Sequence, residues 1–489
     1  MYRPRSHISD IGDVEIIEYG GQLHMFHLVI PNRDLVAHAI SGDGLSWKAL
    51  PPAIRSGDPG DWDDDMIRTV SVTAVKDRFI MLYSATCRRD GGRVERMCGA
   101  VSADLMHWEK MGEVSGIAPD PVFYEDERST PEHVPWRDPK PFYKDSVYYC
   151  LLCARENHGA NLRRGAVALL LSTDMIHWEQ REPLYAPKTY MEIECPQVYE
   201  INGSYYLIGS IMEDLSQRYW RADRLEGPYS VAGGTNLLMP ERTHYAGRIT
   251  RFQGRDVFAC WTFTTEDGPS PFGLRVTPGA VIKYVPAVLD VRTDTEGRLT
   301  LHSPAAWDRY RNDCGKPLFS ERAKRLYSNP YASTGGRTLS SPSGMELLAA
   351  GEIHSHFTLD CRLRISGYRA GLAFYADEEG CAYLVELYPH ENRVRLVRHF
   401  AKQTPQEHVW FDYAVLAQAG ADLKKLMAEG LSVTLRAVNG EIELSLDGCV
   451  VISTVSTRCM SGRVGLFADN ADISIDSDYI ASMRVPENR

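Results

Sequence analysis

The sequence predicts an all-β protein in which a five-bladed β-propeller is followed by a C-terminal β-sandwich. Five stretches share one pattern, in which a polar or charged residue precedes a short extended segment, a turn and an aromatic-rich strand. A Ser-x-Asp-x-x-x-Trp motif recurs between these stretches, and helical periodicity is almost absent from the first 300 residues. Repeats of this length that contain strands and few helices are typical of a propeller with four-stranded blades.

Each of the five repeats reads as two strands joined by a tight hairpin. Apolar and polar residues alternate, and Gly, Asn or Asp marks the turn, as in "YEINGSYYLIG". The repeats start at Gly12, Ile67, Trp136, Ile193 and Tyr245.

The Ser-x-Asp-x-x-x-Trp motif sets the spacing of the blades. It occurs as "SGDGLSW" at 41–47, "SADLMHW" at 102–108 and "STDMIHW" at 172–178, with a weaker copy in "RADRLEGPY" from Arg221. The aspartates at 43, 104, 174 and 223 are 61, 70 and 49 residues apart, which is enough chain for about four strands with their loops.

The residue pattern changes after the repeats, and this change predicts that the chain has three parts. Residues 1–300 form the propeller, 301–334 are an irregular connector, and 335–489 form the β-sandwich. Regularly spaced strands with Asn-Gly and Asp-Gly turns indicate the sandwich, and its closing segment "GRVGLFADNADISIDSDYI" resembles lectin-like jelly-roll modules. One stretch at 412–430, "DYAVLAQAGADLKKLMAEG", reads as a helical insertion.

Composition narrows the class of protein. The formal charge is −11, so we expect neither nucleic acid nor an anionic membrane as a partner. No apolar run approaches the roughly 20 residues that a membrane-spanning helix needs, and "MYRPRSHISDIGD" lacks the apolar stretch of a secretory signal. The 11 cysteines are scattered through predicted strands, as buried free thiols are. We therefore expect a cytoplasmic protein.

The repeats also predict a site. The innermost strand of each blade lines the central channel of a propeller, and its starting end opens on one face. A polar residue stands at that end of each repeat: Asp13, Arg68, Asp138, Glu194, and Tyr245 or Arg248. Capping of local turns is the alternative for any one of the acids. Three acids at matching positions favour a common funnel.

Two segments carry a resemblance to a known family. "WRDPK" at 136–140 and "ECPQVY" at 194–199, in this order and spacing, resemble glycoside hydrolase family 32, the invertase, levanase and inulinase group. "HYAG" at 244–247 is similar to a tyrosine-containing segment of the same family. That family joins a five-bladed propeller to a C-terminal β-sandwich, so the resemblance covers the whole chain.

The resemblance implies a retaining hydrolase of terminal furanosides, most simply β-fructofuranosides such as sucrose, fructo-oligosaccharides or fructan fragments. Asp13 would be the nucleophile and Glu194 the acid/base. Asp138 would hold ring hydroxyls and support the oxocarbenium-like transition state, and Arg137 would contact substrate or a carboxylate.

The first two repeats depart from the family. Its first blade usually carries an Asn-Asp-Pro-Asn-Gly segment, where this chain has "DIGDVEI", so Asp10 competes with Asp13 for the role of nucleophile. The second repeat has "IRTVSV" in place of the usual small residues. These changes favour a divergent member that accepts an unusual furanoside.

Retention at a glycosidic bond needs two carboxyl groups about 5–5.5 Å apart, one ionised and one protonated. We expect Asp13 and Asp138 to be ionised and Glu194, in an apolar setting, to be protonated. The carboxyl groups supply acid, base and nucleophile, so no metal or organic cofactor is expected. Further candidates for contact with substrate are listed here: Trp136, Arg68, Asp65 and Tyr245, with the acidic run "DPGDWDDDM" at 58–66 as a weaker candidate for a cation.

Two other functions remain open at this point. An inverting arabinofuranosidase or xylosidase of the family 43 type uses a similar trio of acids, with carboxyl groups about 6.5–9.5 Å apart. A sugar-binding propeller without catalysis is the third. A small imported saccharide is the expected partner in each case. The sandwich domain is a candidate surface for oligomerisation.

Overall fold

The computed structural model of the chain describes residues 1–3, 10–113, 118–126, 134–241, 244–263, 283–319, 323–403 and 409–488. Strands dominate this part of the chain, and its helices are four short 3₁₀ turns, listed here: Arg88–Asp90, Asn161–Arg163, Ala305–Tyr310 and Lys424–Met427. The prediction of an all-β protein is confirmed. No helix within the described residues has the length and apolar character needed to cross a bilayer.

Four separate antiparallel sheets form propeller-like blades, and each follows chain order from its first strand to its last. The first blade contains β1 (Asp10–Tyr19), β2 (Gln22–Ile30), β3 (Leu35–Ser41) and β4 (Lys48–Arg55). The second contains β5 (Met66–Val75), β6 (Arg78–Thr86), β7 (Arg96–Ser102) and β8 (Glu109–Glu113). The third contains β9 (Arg137–Lys144), β10 (Val147–Arg155), β11 (Gly165–Ser172) and β12 (Glu179–Tyr185). The fourth contains β13 (Glu194–Ile201), β14 (Ser204–Ile211) and β15 (Ser216–Ala222).

The remaining strands belong to one large sheet rather than to a separate fifth blade. It begins with β16 (Tyr245–Phe252), β17 (Arg255–Phe263), β18 (Lys283–Tyr284), β19 (Leu289–Thr293) and β20 (Leu299–His302). It continues with β21 (Lys324–Arg325), β22 (Ser333–Thr334), β23 (Thr338–His354), β24 (Phe357–Ala376), β25 (Ala382–Tyr388) and β26 (Arg393–Gln403). It ends with β27 (Val409–Gly420), β28 (Leu431–Val438), β29 (Glu441–Leu446), β30 (Cys449–Val455) and β31 (Gly462–Ser482). The link is the pair His302 and Cys449, through which β20 meets β30.

The first strands of the repeats contact one another in a closed order. β1 contacts β5, β5 contacts β9, β9 contacts β13, β13 contacts β16, and β16 returns to β1. Apolar clusters fill the spaces between neighbouring sheets, and a separate cluster fills the C-terminal part. The starting ends of these five strands therefore lie side by side.

Each of these five first strands carries a β-bulge near its start. Between Ile11 and Val14 the strand advances three residues while its partner β2 advances two, from Val29 to His27. The same irregularity recurs at the starts of β5, β9, β13 and β16. A bulge re-aims a side chain and ends regular pairing, so it places polar groups at the strand mouth without disturbing the buried length.

The Ser-x-Asp-x-x-x-Trp motif forms a tight turn. Asp174 Oδ1 accepts the backbone N–H groups of Ile176 and His177 at 2.9 and 2.8 Å, and Ser172 Oγ accepts that of Met175 at 2.9 Å. The copies at 41–47 and 102–108 make the same bonds. The motif thus builds the turn after the third strand of a blade.

The helix predicted at 412–430 is wrong for most of its length. Residues up to Gly420 form the end of β27, which pairs antiparallel with β26, and only Lys424–Met427 form a 3₁₀ turn. The Ala- and Leu-rich composition favours a helix locally, but pairing with a neighbouring strand decides the structure.

Candidate active site

A pocket of about 340 Å³ lies where the first strands begin. Asp13, Asp138 and Glu194 all line it, together with Arg137, Arg68 and Tyr245, so six of the eight predicted site residues share one cavity. Small-molecule pockets measure roughly 300–1,000 Å³, which makes this one suitable for a single sugar unit with part of a second.

Asp13 is held through both carboxyl oxygens. Thr69 Oγ1 donates a hydrogen bond to Oδ2 at 2.5 Å, and the indole Nε1 of Trp261 donates to Oδ1 at 3.2 Å. Thr69 lies in the bulge of β5 and Trp261 lies on β17. Two donors from separate strands fix the direction in which this carboxylate faces the pocket.

Asp138 lies deeper. It is 2% exposed, its Oδ2 accepts the backbone N–H of Cys195 at 2.8 Å, and its own N–H donates to Ser84 Oγ at 3.1 Å. The residue has a φ of 62°, a conformation that the bulge of β9 imposes. Burial raises the pKa of Asp138; the adjacent Arg137 opposes this, and the charge of Asp13 adds to it. The sequence predicted an ionised Asp138 from its neighbour Arg137, and burial works against that expectation.

Glu194 is the carboxyl group best suited to carry a proton near neutral pH. Its Oε1 lies 2.5 Å from Arg137 Nη2, and its Oε2 accepts a hydrogen bond from the hydroxyl of Tyr245. Burial raises the pKa of Glu194 to about 7, with the charge of Arg137 acting in the opposite direction. This is the direction that the sequence predicts for the acid/base.

Arg137 connects the acids of the pocket. Its Nη2 pairs with both Glu192 and Glu194, and its Nη1 lies 3.6 Å from Glu95 Oε2. The guanidinium thus balances three acids and fixes the position of Glu194. Its five N–H donors in a rigid plane suit it to that role.

A second layer of charges lies beneath the pocket. Glu15 is fully buried and pairs with Lys140 Nζ at 2.6 Å and with Arg248 Nε at 3.2 Å. Arg248 is fully buried too and donates to the carbonyl oxygens of Cys195 at 2.6 Å and Pro196 at 3.2 Å. This layer joins the first strands β1, β9 and β16, and through the carbonyl oxygens of Cys195 and Pro196 it supports the bulge of β13 that follows Glu194.

Two predicted contacts do not line the pocket. Trp136 is fully buried in the apolar cluster beside Tyr124, because its side chain points away from the face that Arg137 occupies. Asp65 precedes β5, and its Oδ2 accepts a hydrogen bond from Thr86 Oγ1 at 2.8 Å. Both residues hold structure rather than substrate.

The competing acid Asp10 is also outside the pocket lining. Its carboxylate accepts the backbone N–H groups of Ile11 at 3.0 Å and Lys283 at 3.0 and 3.1 Å. These bonds tie the start of β1 to β18. Asp13 is therefore the acid of the first repeat that faces the site.

The acidic run at 58–66 is used for local bonds. Asp63 Oδ2 pairs with Lys110 Nζ at 2.6 Å and accepts from Tyr83, while Asp64 accepts the backbone N–H groups of Gly60 and Arg88 at 2.8 Å each. These carboxylates fix a loop, which explains their density without a cation.

Among the described residues, one group has the spacing of metal ligands. Ligand atoms of Asp13, Asp138 and Cys195 all lie within 4.8 Å of one another. Burial raises the pKa of the Cys195 thiol well above its ordinary value, which disfavours the thiolate that binds metals. Two carboxyl groups of this group remain.

Sequence reasoning missed several residues of the pocket: Arg33, Thr69, Glu95, Glu192, Trp261 and Lys283. Glu192 had a signal, because it stands two residues before Glu194 and such residues share a face in extended chain. Glu95 and Arg33 lie outside the first strands, and only the folded chain brings them to the pocket.

Curated relatives match about half of the chain or less. The sequence is 26% identical over 268 residues to "Sucrose-6-phosphate hydrolase" of Bacillus subtilis, covering 52% of this chain and 51% of that protein. It is 25% identical over 195 residues to an insoluble β-fructofuranosidase isoenzyme of Arabidopsis thaliana, covering 37% of this chain and 32% of that protein. The chain thus spans about half or less of the length of these relatives.

Solved structures match over the full length of the chain. Fructan 1-exohydrolase IIa of Cichorium intybus superposes with a TM-score of 0.71 at 15% identity, covering 100% of this chain and 97% of that one. Exo-inulinase of Aspergillus awamori gives 0.68 at 14% identity, covering 99% and 98%. At these identities the likeness establishes the fold.

A match to a protein-family model identifies the family of this chain. The N-terminal domain model of glycosyl hydrolases family 32 matches residues 11–270, which is 260 of the 489 residues. The matched segment contains Asp13, Asp138 and Glu194. The chain belongs to glycosyl hydrolases family 32.

Proposed function

We propose that the chain is a retaining glycoside hydrolase that removes terminal furanosides, with β-fructofuranosides such as sucrose, fructo-oligosaccharides or fructan fragments as substrates. One observation carries the proposal: Asp13, Asp138 and Glu194, from three different sheets, line one pocket of sugar size. Relatives named as a sucrose-6-phosphate hydrolase, a β-fructofuranosidase and a fructan 1-exohydrolase support the choice of sugar.

The proposed reaction has two steps. Asp13 attacks the anomeric carbon while Glu194 gives its proton to the leaving oxygen, which yields a covalent glycosyl-enzyme and a free alcohol. Glu194, now ionised, then takes a proton from water, which attacks the anomeric carbon and releases Asp13. A pKa of Glu194 of about 7 suits a group that must give and take a proton.

The other groups of the pocket hold the substrate. Asp138 accepts hydrogen bonds from ring hydroxyls and stabilises the positive charge of the transition state. Tyr245 and Arg137 keep Glu194 in position, and Arg68 contacts the substrate.

We propose that β16, β17, β19 and β20 act as the fifth blade, which their chain order and the closed order of first strands support. The division into 1–300, 301–334 and 335–489, with a lectin-like sandwich as the last part, remains our proposal for the domains. Eleven free cysteines support a reducing compartment such as the cytoplasm. A small imported saccharide remains our proposal for the substrate. The sandwich is a candidate surface for self-association.

Substitution of the two acids tests the proposal. Glu194→Gln should lower kcat on sucrose about 10²–10⁴-fold, the usual contribution of a general acid, and Asp13→Asn should abolish turnover because the nucleophile is lost. Activity is measured on sucrose, short fructans and aryl furanosides. Asp10→Asn and Glu200→Gln are matched controls, since Asp10 bonds backbone and Glu200 pairs with Lys144 at the other end of β13. Full activity in Asp13→Asn would overturn the assignment of the nucleophile.

The anomer formed first separates the candidate functions. Proton NMR should show the β-anomer of the released sugar before mutarotation, as retention requires. Initial release of the α-anomer would indicate an inverting enzyme of the family 43 type. A wild-type protein that binds a sugar and hydrolyses none of the panel would be a binding module.

A further inference from the structure

Glu192 lines the pocket beside Glu194, and the proposed reaction gives it no role. The two acids stand two residues apart in extended chain, so their side chains leave the backbone on the same face. Both carboxylates bond to one nitrogen atom, Nη2 of Arg137. Two oxygen atoms that bond to the same nitrogen lie within about 5–6 Å of each other. Glu192 is therefore an immediate neighbour of the acid that would give its proton to the leaving oxygen.

The backbone that carries Glu192 is held from two sides. The carbonyl oxygen of Tyr190 accepts the N–H of Gly165, at the start of β11, at 2.9 Å, and the N–H of Met191 donates to Glu213 Oε1 at 2.7 Å. A Cβ atom at position 165 would come within 2.8 Å of the backbone nitrogen of Glu192, so the close approach of β11 requires glycine. The scaffold thus fixes where Glu192 enters the pocket.

The two oxygens of Glu192 have different surroundings. Oε2 pairs with Arg137 Nη2. Within the described part of the chain, Oε1 forms neither a hydrogen bond nor an ion pair, and it remains accessible. An ionised carboxylate only accepts hydrogen bonds, and each of its oxygens has two lone pairs to offer. The second oxygen is therefore suited to a group that donates, such as a hydroxyl group.

The leaving group of a substrate would lie on this side of the cavity. In the proposed reaction the leaving oxygen lies against Glu194, and a hydroxyl group on the next carbon lies within reach of a carboxylate about 5–6 Å away. Met191 and Met212 also line the cavity. Glu194 pairs with Ser210 of β14, so Met212, two residues further on, lies at the same end of this strand pair. Apolar walls with a few placed polar groups are typical of pockets that bind an organic ligand such as a sugar ring.

We propose that Glu192 is a specificity-determining residue, whose Oε1 accepts a hydrogen bond from a hydroxyl group next to the leaving oxygen. The inference rests on the proposed function for the place of the leaving oxygen beside Glu194. A hydrogen bond to a charged acceptor is about twice as strong as one between neutral groups. The pocket therefore prefers furanosides whose leaving group is a sugar or another polyol to furanosides of a simple alcohol.

Two furanosides with different leaving groups test the inference. Sucrose releases glucose, which has a hydroxyl group next to the leaving oxygen, and methyl β-fructofuranoside releases methanol, which has none. In Glu192→Ala, the ratio of kcat/KM on sucrose to kcat/KM on the methyl furanoside should fall at least about tenfold below that of the wild type, because one substrate alone loses a charge-assisted hydrogen bond. Any effect of the substitution on Glu194 or on folding acts on both substrates and cancels in the ratio.

Two further variants serve as controls. Glu192→Gln keeps an acceptor oxygen without the charge, so it should retain part of the preference for sucrose. Glu200→Gln neutralises an exposed acid at the other end of β13, and its ratio should stay within about twofold of the wild-type value.

An equal loss of kcat/KM on both furanosides in Glu192→Ala would overturn the inference and leave the proposed function standing. A wild type that hydrolyses neither furanoside would overturn the proposed function and, with it, the inference.

Discussion

Glu194 lies between two groups that favour its ionised form. Arg137 places a positive charge beside one oxygen, and Tyr245 donates a hydrogen bond to the other. Burial outweighs both and raises the pKa of Glu194 to about 7. The Tyr245 hydroxyl can be removed without changing charge or much volume, so its effect on the proton is measurable.

Tyr245→Phe should shift the pH dependence of catalysis. The hydrogen bond from Tyr245 lowers the pKa of Glu194. Its loss in the variant should therefore raise that pKa by about one unit. Glu194 must be protonated to act as an acid, so kcat/KM of the wild type should fall above about pH 7. In the variant this alkaline limb should lie at higher pH, as measured by a pH–rate profile.

Tyr199→Phe is a matched control. Tyr199 also donates to a carboxylate, that of Asp256 at 3.0 Å, but at the far end of β13. Removal of the Tyr199 hydroxyl should leave the alkaline limb of the pH–rate profile in place. A limb that stays fixed or moves to lower pH in Tyr245→Phe would contradict the role of this hydrogen bond.

Single residues show what the sequence could and could not predict. "WRDPK" contributes Arg137 and Asp138 to the pocket, but alternation along a strand sends Trp136 and Arg137 to opposite faces, so Trp136 does not line it. The same alternation places Glu192, two residues before Glu194, on the face that lines the pocket. Glu95, by contrast, precedes β7 and reaches Arg137 only because two blades pack together, which no local pattern reveals.

At the scale of elements, Arg248 joins the first strands of separate sheets. It pairs with Glu15 of β1 and donates to the carbonyl oxygens of Cys195 and Pro196 in the bulge of β13. This bulge carries Glu194 at its edge. The position of the acid thus depends on a buried charge on another strand.

Arg248→Met should destabilise the fold and impair catalysis together. Removal of one partner of a buried ion pair costs about 3–5 kcal/mol, because the remaining charge is left buried. We expect a loss of that size in urea denaturation and a decrease in kcat larger than the change in KM.

Arg251→Met, on the same strand, provides the control. Arg251 is exposed and pairs with Asp256 at the surface, so its loss should cost at most about 1 kcal/mol. Equal stability of the two variants would show that the buried charges beneath the pocket do not stabilise the closed order of first strands.

Elements were predicted well where local pattern and tertiary pairing agree. The hairpins of the repeats and the turns at Asp43, Asp104 and Asp174 follow from alternation and from side chains that bond their own backbone. Residues 413–420 were predicted as helix because Ala and Leu favour it, whereas β26 recruits them as a strand. Propensity is a weak guide where a neighbouring edge is free to pair.

At the scale of the whole molecule, the two halves share a sheet and an apolar cluster. Trp307 is 4% exposed and packs with Leu45 and Ala287 from the propeller part and with Val438 and Met483 from the C-terminal part. The guanidinium of Arg436 lies 4.9 Å from the centre of its ring. The junction therefore resembles an interior more than a linker.

Trp307→Ala should lower the stability of the whole chain. Truncation of a buried Trp costs about 3–5 kcal/mol, and because the halves are coupled, calorimetry should show one wild-type transition that shifts as a unit. Trp108→Ala, a half-exposed ring within the second blade, should shift it less. Two resolved wild-type transitions, of which only one moves, would contradict this coupling.

The sequence predicted an all-β fold with blade-like repeats but not the continuity of the sheet, which leaves four separate blades where five were predicted. A sequence repeat indicates which strands form each blade. The link between β20 and β30, by contrast, is one pair of residues, His302 and Cys449, which are 147 positions apart. Such a link has no period to detect. This one link joins the strands of the fifth repeat to the C-terminal strands in a single sheet.

The bulges at the strand mouths carry a consequence for how specificity changes. In every first strand, the bulge or the residue next to it lines the pocket, while the rest of the strand is locked between neighbours. A replacement at that point, such as one at Arg68 in the second blade, alters what a sugar meets and leaves the scaffold intact. Substrate preference can therefore drift one blade at a time, while the acids contributed by other blades continue to cut the same bond.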